Sequence, residues 1–233
     1  MPLTGQQIET LREAIRGYNY PAKIYDFEQK HEVTFRTMRE LEIYLKEKLL
    51  STDPFEVKTG LANVIYWGNL TAGYCWHRVQ MFLNKVTPEQ IQETITLLSK
   101  IEGDGLMEIK RIGLPQFSNM SFASKLRMFL DPENYVTLDR KLLQIKKSKI
   151  KTIFHDVKEN PTYIPITPRN CEAYRSWCKL CQKATKTYFK DENVVENAKV
   201  ELVGKNRSTY TSPEGKYWFY NLSKGTYLSL IHI

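Results

Sequence analysis

The chain lacks any apolar run long enough to span a bilayer: its longest, such as Gly60 to Trp67, falls far short of the about 20 residues a membrane helix needs. Met1 to Gln7 carries no basic stretch followed by apolar residues, so no secretory address is expected and a cytoplasmic location is the default. A disulfide framework is also missing. Of the four cysteines, Cys171, Cys178 and Cys181 crowd into one predicted helix, where they cannot staple distant segments, and Cys75 stands apart. These absences exclude membrane spanning and disulfide-built secreted scaffolds from the expected classes. What is present is an ordinary globular composition over 233 residues, enough to bury a sizeable core. A formal charge of +8 favours polyanionic partners through counterion release, and it serves equally well as a solubility charge.

Up to about Phe189 the pattern is helical. Thr4 can cap a helix to Arg16, Met38 to Leu50 follows an irregular Tyr-rich connection, and Asp53-Pro54 opens a helix through Trp67. Gly68-Asn69 and Gly73 break the pattern before Tyr74 to Leu83. Thr87-Pro88-Glu89-Gln90 is a capping box for a helix to Ile101. A short helix, Leu106 to Ile112, precedes Gly113-Leu114-Pro115 and a polar connection through Asn119. Phe122, Leu126, Phe129 and Leu130 then mark an amphipathic helix that Asp131-Pro132 ends, with Ser121 as its candidate cap. Tyr135 to Leu138 reads as extended, and Asp139 can cap a helix from Arg140 to about Lys147. A loop with Pro161, Pro165 and Pro168 leads to a last helix, Asn170 to Phe189.

Beyond Asn193 the periodicity changes to strand-like alternation at Val200 and Leu202, Ser208 to Thr211, Tyr217 to Tyr220 and Thr226 to Leu228. Val200, Leu202, Gly204, Thr211, Gly215, Tyr217, Phe219, Asn221, Leu222, Gly225 and Tyr227 resemble the opening half of carboxypeptidase-regulatory-like and collagen-adhesin B-type β-sandwich repeats. Too few residues follow to close such a sandwich. The last six, Leu228 to Ile233, are the literal translation of CTG TCT CTT ATA CAC ATC, a transposon-end adapter, and are expected to be an assembly scar.

The segment richest in chemical meaning is Met120-Ser121-Phe122-Ala123, its helix, and Tyr135-Val136-Thr137-Leu138-Asp139. A serine followed by x-Ala, with Leu-Asp ending eighteen residues on, resembles the active-site segment of helix-hairpin-helix DNA glycosylases, most closely the adenine glycosylases. That resemblance implies that Asp139 is the carboxylate that stabilises the sugar cation as the base leaves. Ser121 occupies the position where bifunctional members place a Schiff-base lysine, which implies a monofunctional chain. Lys125, one turn along, is the second amine candidate, although a helix lysine is ordinarily solvated. Phe117-Ser118-Asn119 stand where the family carries Gly-x-Gly, and Asn119 is the residue of the three that best tolerates a left-handed conformation. Read without the resemblance, Asp139 is an ordinary helix cap.

Other candidates follow from residue chemistry. Ser118, Asn119, Lys110, Arg111, Arg140, Lys141 and Arg78 are the candidate DNA contacts, with Lys146, Lys147, Lys149 and Lys151 as a further basic run that a solvated face would equally explain. Trp67, Asn69 and Tyr74 are the candidate base pocket, since aromatics stack on an extruded base; core packing is the competing reading. Cys171, Cys178 and Cys181 have the spacing of three iron–sulfur ligands, but Thr187 stands at the fourth, so neither metal nor cofactor is expected.

The expected architecture is mainly α: a two-lobed helical glycosylase-like domain over 1–192, a partial β-sandwich over 193–227 and the scar over 228–233. A monomer acting on double-stranded DNA with a flipped base is expected. The competing expectations are a non-catalytic DNA-binding protein with a degenerate hairpin, and a helical protein-interaction or defence-associated scaffold.

Overall fold

The computed structural model describes residues 3–147 and 152–189, together with the backbone of three strands within 199–232. In chain order the elements are α1 (Gly5–Arg16), β1 (Lys23–Asp26), β2 (His31–Thr34), α2 (Met38–Leu49), α3 (Pro54–Trp67), α4 (Cys75–Lys85), α5 (Pro88–Leu98) and α6 (Leu106–Ile112). They continue with α7 (Met120–Leu130), α8 (Pro168–Tyr188), β3 (Lys199–Leu202), β4 (Arg207–Tyr210) and β5 (Ser229–His232). The described residues are mainly helical. None of their helices is long and apolar enough to cross a membrane.

The chain divides into two compact units, one formed by Met1–Tyr20 with Ala184–Ile233 and the other by Pro21–Lys183. In the first, Thr4 and Gln7 form the expected capping box at the start of α1, and the Leu3 amide donates to Tyr188 Oη at 2.9 Å. Its strands form an antiparallel sheet in the order β4-β3-β5, with Lys199 opposite Tyr210 on one side and His232 on the other. The expected strands at Tyr217 to Tyr220 and Thr226 to Leu228 lie outside the described residues. β5 falls within the six residues read as an adapter translation, and its pairing carries no functional argument.

The second unit is built around α3. Asp53 caps it through the Phe55 amide, Pro54 occupies the first turn, and from Gly60 to Trp67 every residue is buried. A helix apolar on all sides belongs inside a core, and α2, α4, α5, α7 and β1 surround this one. β1 and β2 are an antiparallel hairpin, Lys23 opposite Thr34, in the stretch the sequence reading leaves as an irregular connection. No glycine marks its turn: Lys30 takes the left-handed conformation at φ 57°, and Asp26 Oδ1 accepts from the Glu28 and Gln29 amides. The hairpin is held from α3 instead. Buried Asn63 accepts from the Tyr25 amide at 2.8 Å and donates to the Tyr25 carbonyl at 3.1 Å, satisfying the backbone as a neighbouring strand would.

α6 and α7 follow one another through a tight connection. Gly105 precedes α6 in the left-handed conformation, Asp104 Oδ1 accepts the Leu106 amide at 3.0 Å, and Gly113 ends the helix at φ 72°. α7 begins one residue before Ser121, and its cap is Asn119, whose Oδ1 accepts from the Phe122 amide at 3.3 Å. The expected cap at Ser121 is therefore displaced by two residues, because Asn119 reaches the free amides of the first turn before Ser121 can. After α7 the chain runs back extended to Asp139 and enters a 3-10 turn, Leu142–Lys147, rather than the α-helix expected there. The first bonds of that turn, Leu143 N to Arg140 O and Gln144 N to Lys141 O, already have the tighter i→i+3 spacing.

Candidate active site

The segment between Ser121 and Asp139 closes on itself. Ser124, buried in α7, accepts the Leu138 amide on its Oγ at 3.0 Å. The same extended stretch is fixed at two further points: the Arg127 guanidinium lies 4.3 Å from the Tyr135 ring centre, and the Trp177 indole donates to the Thr137 carbonyl at 3.1 Å. Three side chains thus set where the half-buried Asp139 sits. Its Oδ1 accepts from the Lys141 amide at 2.9 Å and the Leu142 amide at 3.3 Å, while Oδ2 takes no hydrogen bond among the described residues. Asp139 is a cap, as the local sequence suggests, and one of its oxygens is still uncommitted.

Lys125 departs from the solvated lysine that sequence alone suggests. It is only 9% exposed, with Nζ donating to the Ser121 carbonyl at 3.3 Å and lying 5.4 Å from the Phe122 ring centre. Burial lowers its pKa below the ordinary lysine value; Asp139 opposes that shift and Lys141 adds to it. The lid over this side chain is Gly68, just past α3. A Cβ at Gly68 would stand 2.9 Å from Phe122 Cε1 and 3.1 Å from Lys125 Cδ, so a larger residue would push the Phe122 ring and the lysine stem aside. Lys125 therefore bonds back to Ser121, lies beneath Gly68 and is influenced by the charges of Asp139 and Lys141.

The connection from α6 to α7 turns at Gln116, whose φ is 74°, and not at Asn119, which is extended at φ −120°. Asn119 instead donates from Nδ2 to the Gln116 carbonyl at 2.9 Å, stabilising the turn. Phe117 is fully buried and anchors the turn in the core. Among the described residues nothing accepts from the amides of Ser118 and Asn119, whereas the Met120 amide donates to Ile164 O at 2.9 Å.

The remaining candidates separate. Lys110 donates to the Ile166 carbonyl at 2.8 Å, and Arg111 lines a shallow groove with Glu89, Glu93 and Glu108, an acidic setting. Arg140 is 3.8 Å from Glu159, which also takes Lys146 at 3.3 Å; the Lys147 side chain, Lys149 and Lys151 lie outside the described residues. Trp67 is 6% exposed, stacks edge-on against Phe129 and donates its indole N–H to Pro21 O. Asn69 is buried and donates to Ile65 O at 2.7 Å, closing the end of α3. Both serve the core here. Tyr74, at the start of α4, is exposed, with the Arg78 guanidinium 5.0 Å from its ring centre.

Cys171 and Cys178 lie buried on α8, and Cys181 is half-buried. Burial pushes the thiols of Cys171 and Cys181 up to about 11 and about 12, the behaviour of small apolar side chains. Among the described residues no group of three or more His, Cys, Asp or Glu is placed to hold a metal ion.

Ser124 and Gln116 were not singled out by sequence, and Gly68 was read there only as a helix break. Ser124 had a local signal, a polar residue interrupting the apolar face of α7. Comparison of the chain with protein-family models, with curated proteins and with solved structures finds no match.

Proposed function

We propose that the chain is a base-excision DNA glycosylase that hydrolyses the N-glycosidic bond of a damaged or mispaired base extruded from duplex DNA. The observation that carries this reading is Asp139. Its position is fixed through Ser124, Arg127 and Trp177, one of its oxygens accepts the Lys141 and Leu142 amides, and the other is left uncommitted among the described residues. As the base departs with the bonding electrons, C1′ of the sugar becomes cationic. A carboxylate held in place before the reaction stabilises that cation without reorganising, and it orients the attacking water.

Lys125 acts as a positioning residue. Its Nζ turns to the Ser121 carbonyl beneath Phe122 and Gly68, which favours hydrolysis by water over amine attack on the sugar. The reaction leaves an unbroken strand with an abasic site and no adduct trapped by borohydride. The uncapped amides of Ser118 and Asn119 supply the hairpin's phosphate contacts.

Asp139→Asn is a clean probe, because asparagine caps a turn as well as aspartate does. On a panel of duplexes carrying different lesions, read by alkaline cleavage, the variant is expected to fold normally and to release base about 100-fold more slowly or worse. Equal release by both proteins removes Asp139 from the mechanism. Duplex binding with no release from any lesion by the wild-type protein leaves a DNA-binding protein without this activity.

A further inference from the structure

Arg78, on the second turn of α4, is half-buried, and among the described residues no carboxylate pairs with it. Its guanidinium is nevertheless held at two points. One face meets the ring of Tyr74, 5.0 Å to the centre, and Nη1 donates to Gln116 Oε1 at 2.9 Å.

Gln116 is the left-handed residue of the α6–α7 connection. A side chain there is strained relative to glycine, and glycine would have no side-chain amide oxygen to offer Arg78. The chain therefore keeps a conformationally unfavourable residue whose side chain braces a cation. Tyr74 braces the same cation while staying 54% exposed. Among the described residues only Nη1 of the guanidinium donates, and none of them accepts from its other N–H groups. The brace also brings the charge to the connection whose Ser118 and Asn119 amides are unoccupied.

A cation immobilised by an aromatic ring and an amide, without an internal counter-charge, is pre-organised for an external anion, because little rotamer freedom is left to lose on binding. We infer that Arg78, presented by Tyr74 and Gln116, binds a phosphodiester of the DNA strand that crosses the α6–α7 connection. This rests on the reading of the chain as a DNA-binding enzyme and adds the particular contact, tying the start of α4 to the hairpin.

The test is equilibrium binding of the full chain to a fluorescent duplex containing a tetrahydrofuran abasic analogue, from about 50 to 200 mM salt. Loss of one phosphate contact in Arg78→Gln makes the slope of log K against log salt shallower by about 0.9 and weakens binding at every salt concentration. Arg78→Lys keeps the slope, since the charge remains, but binds more weakly because an ammonium neither forks nor stacks. Gln116→Ala keeps the slope and loses affinity through the lost brace.

An unchanged slope and affinity in Arg78→Gln overturns the inference. Full restoration of that variant's affinity by adding Gln116→Gly overturns it as well, since Arg78 would then be only a strut for the strained turn. Base release is not the readout, so a shallower slope in a chain that releases no base supports the contact while the catalytic reading falls. Failure of the wild-type chain to bind the duplex at low salt overturns the contact itself.

Discussion

Lys125 shows how far one residue's surroundings outweigh its type. Lysine is seldom buried, and nothing next to Lys125 in sequence announces that Phe122 and a glycine from another helix will cover it. The consequence is a dependence of stability on pH. The unfolded chain holds the Lys125 proton up to about pH 10.4, whereas the folded chain, with its lowered pKa, releases it sooner. Between those two values the unfolded state binds more protons, so stability rises with pH across that interval; below it the burden of the buried charge is fully present. Lys125→Met is expected to be more stable than the wild-type protein by about 1–2 kcal/mol near neutral pH. The difference should shrink as the pH rises toward that of free lysine. Urea unfolding at a series of pH values measures it, and a pH-independent difference would mean that the buried amine is not the cause.

At the level of elements, local signals were enough for most helices. Thr4, Asp53-Pro54 and Thr87 are caps that act within four residues, and their helices start where sequence puts them. The β1–β2 hairpin was not legible because its organiser, Asn63, lies on α3, 38 residues from Tyr25. The start of α7 was misplaced for a related reason: two cap-forming side chains, Asn119 and Ser121, compete within three residues, and the turn at Gln116 decides for the first. In the candidate site, the spacing of Ser121 and Asp139 could be read from sequence, but the Ser124 bond between them could not. That bond predicts a separation of effects. Ser124→Ala leaves the buried Leu138 amide without an acceptor and should lower stability by about 1–3 kcal/mol. On the proposed glycosylase function, Asp139 less firmly placed is expected to slow base release while duplex affinity holds, so single-turnover rate and equilibrium binding should diverge; parallel losses would assign Ser124 a merely structural part.

Over the larger unit as a whole, the candidate site depends on a residue that neither lines it nor adjoins it in sequence. Asn170, fully buried near the start of α8, accepts from the Lys158 amide at 2.9 Å and donates to the carbonyls of Lys158 at 2.7 Å and Pro165 at 2.8 Å. It folds the intervening loop so that Ile164 accepts the Met120 amide and Pro165 bridges to Asn119. Asn170→Ala strips these groups of their partner, and a loss of about 2–4 kcal/mol is expected. Limited proteolysis under native conditions should then cut between 158 and 166; an uncut loop would mean that other contacts hold it. The order of synthesis gives this arrangement a further meaning. Asn170 is made 51 residues after Asn119, a delay of roughly 3–10 s at ordinary translation rates. During that interval the α6–α7 connection exists without its backing, and a ribosome paused between 139 and 170 would hold a nascent chain whose Ser121 to Asp139 segment is already synthesised but unsupported.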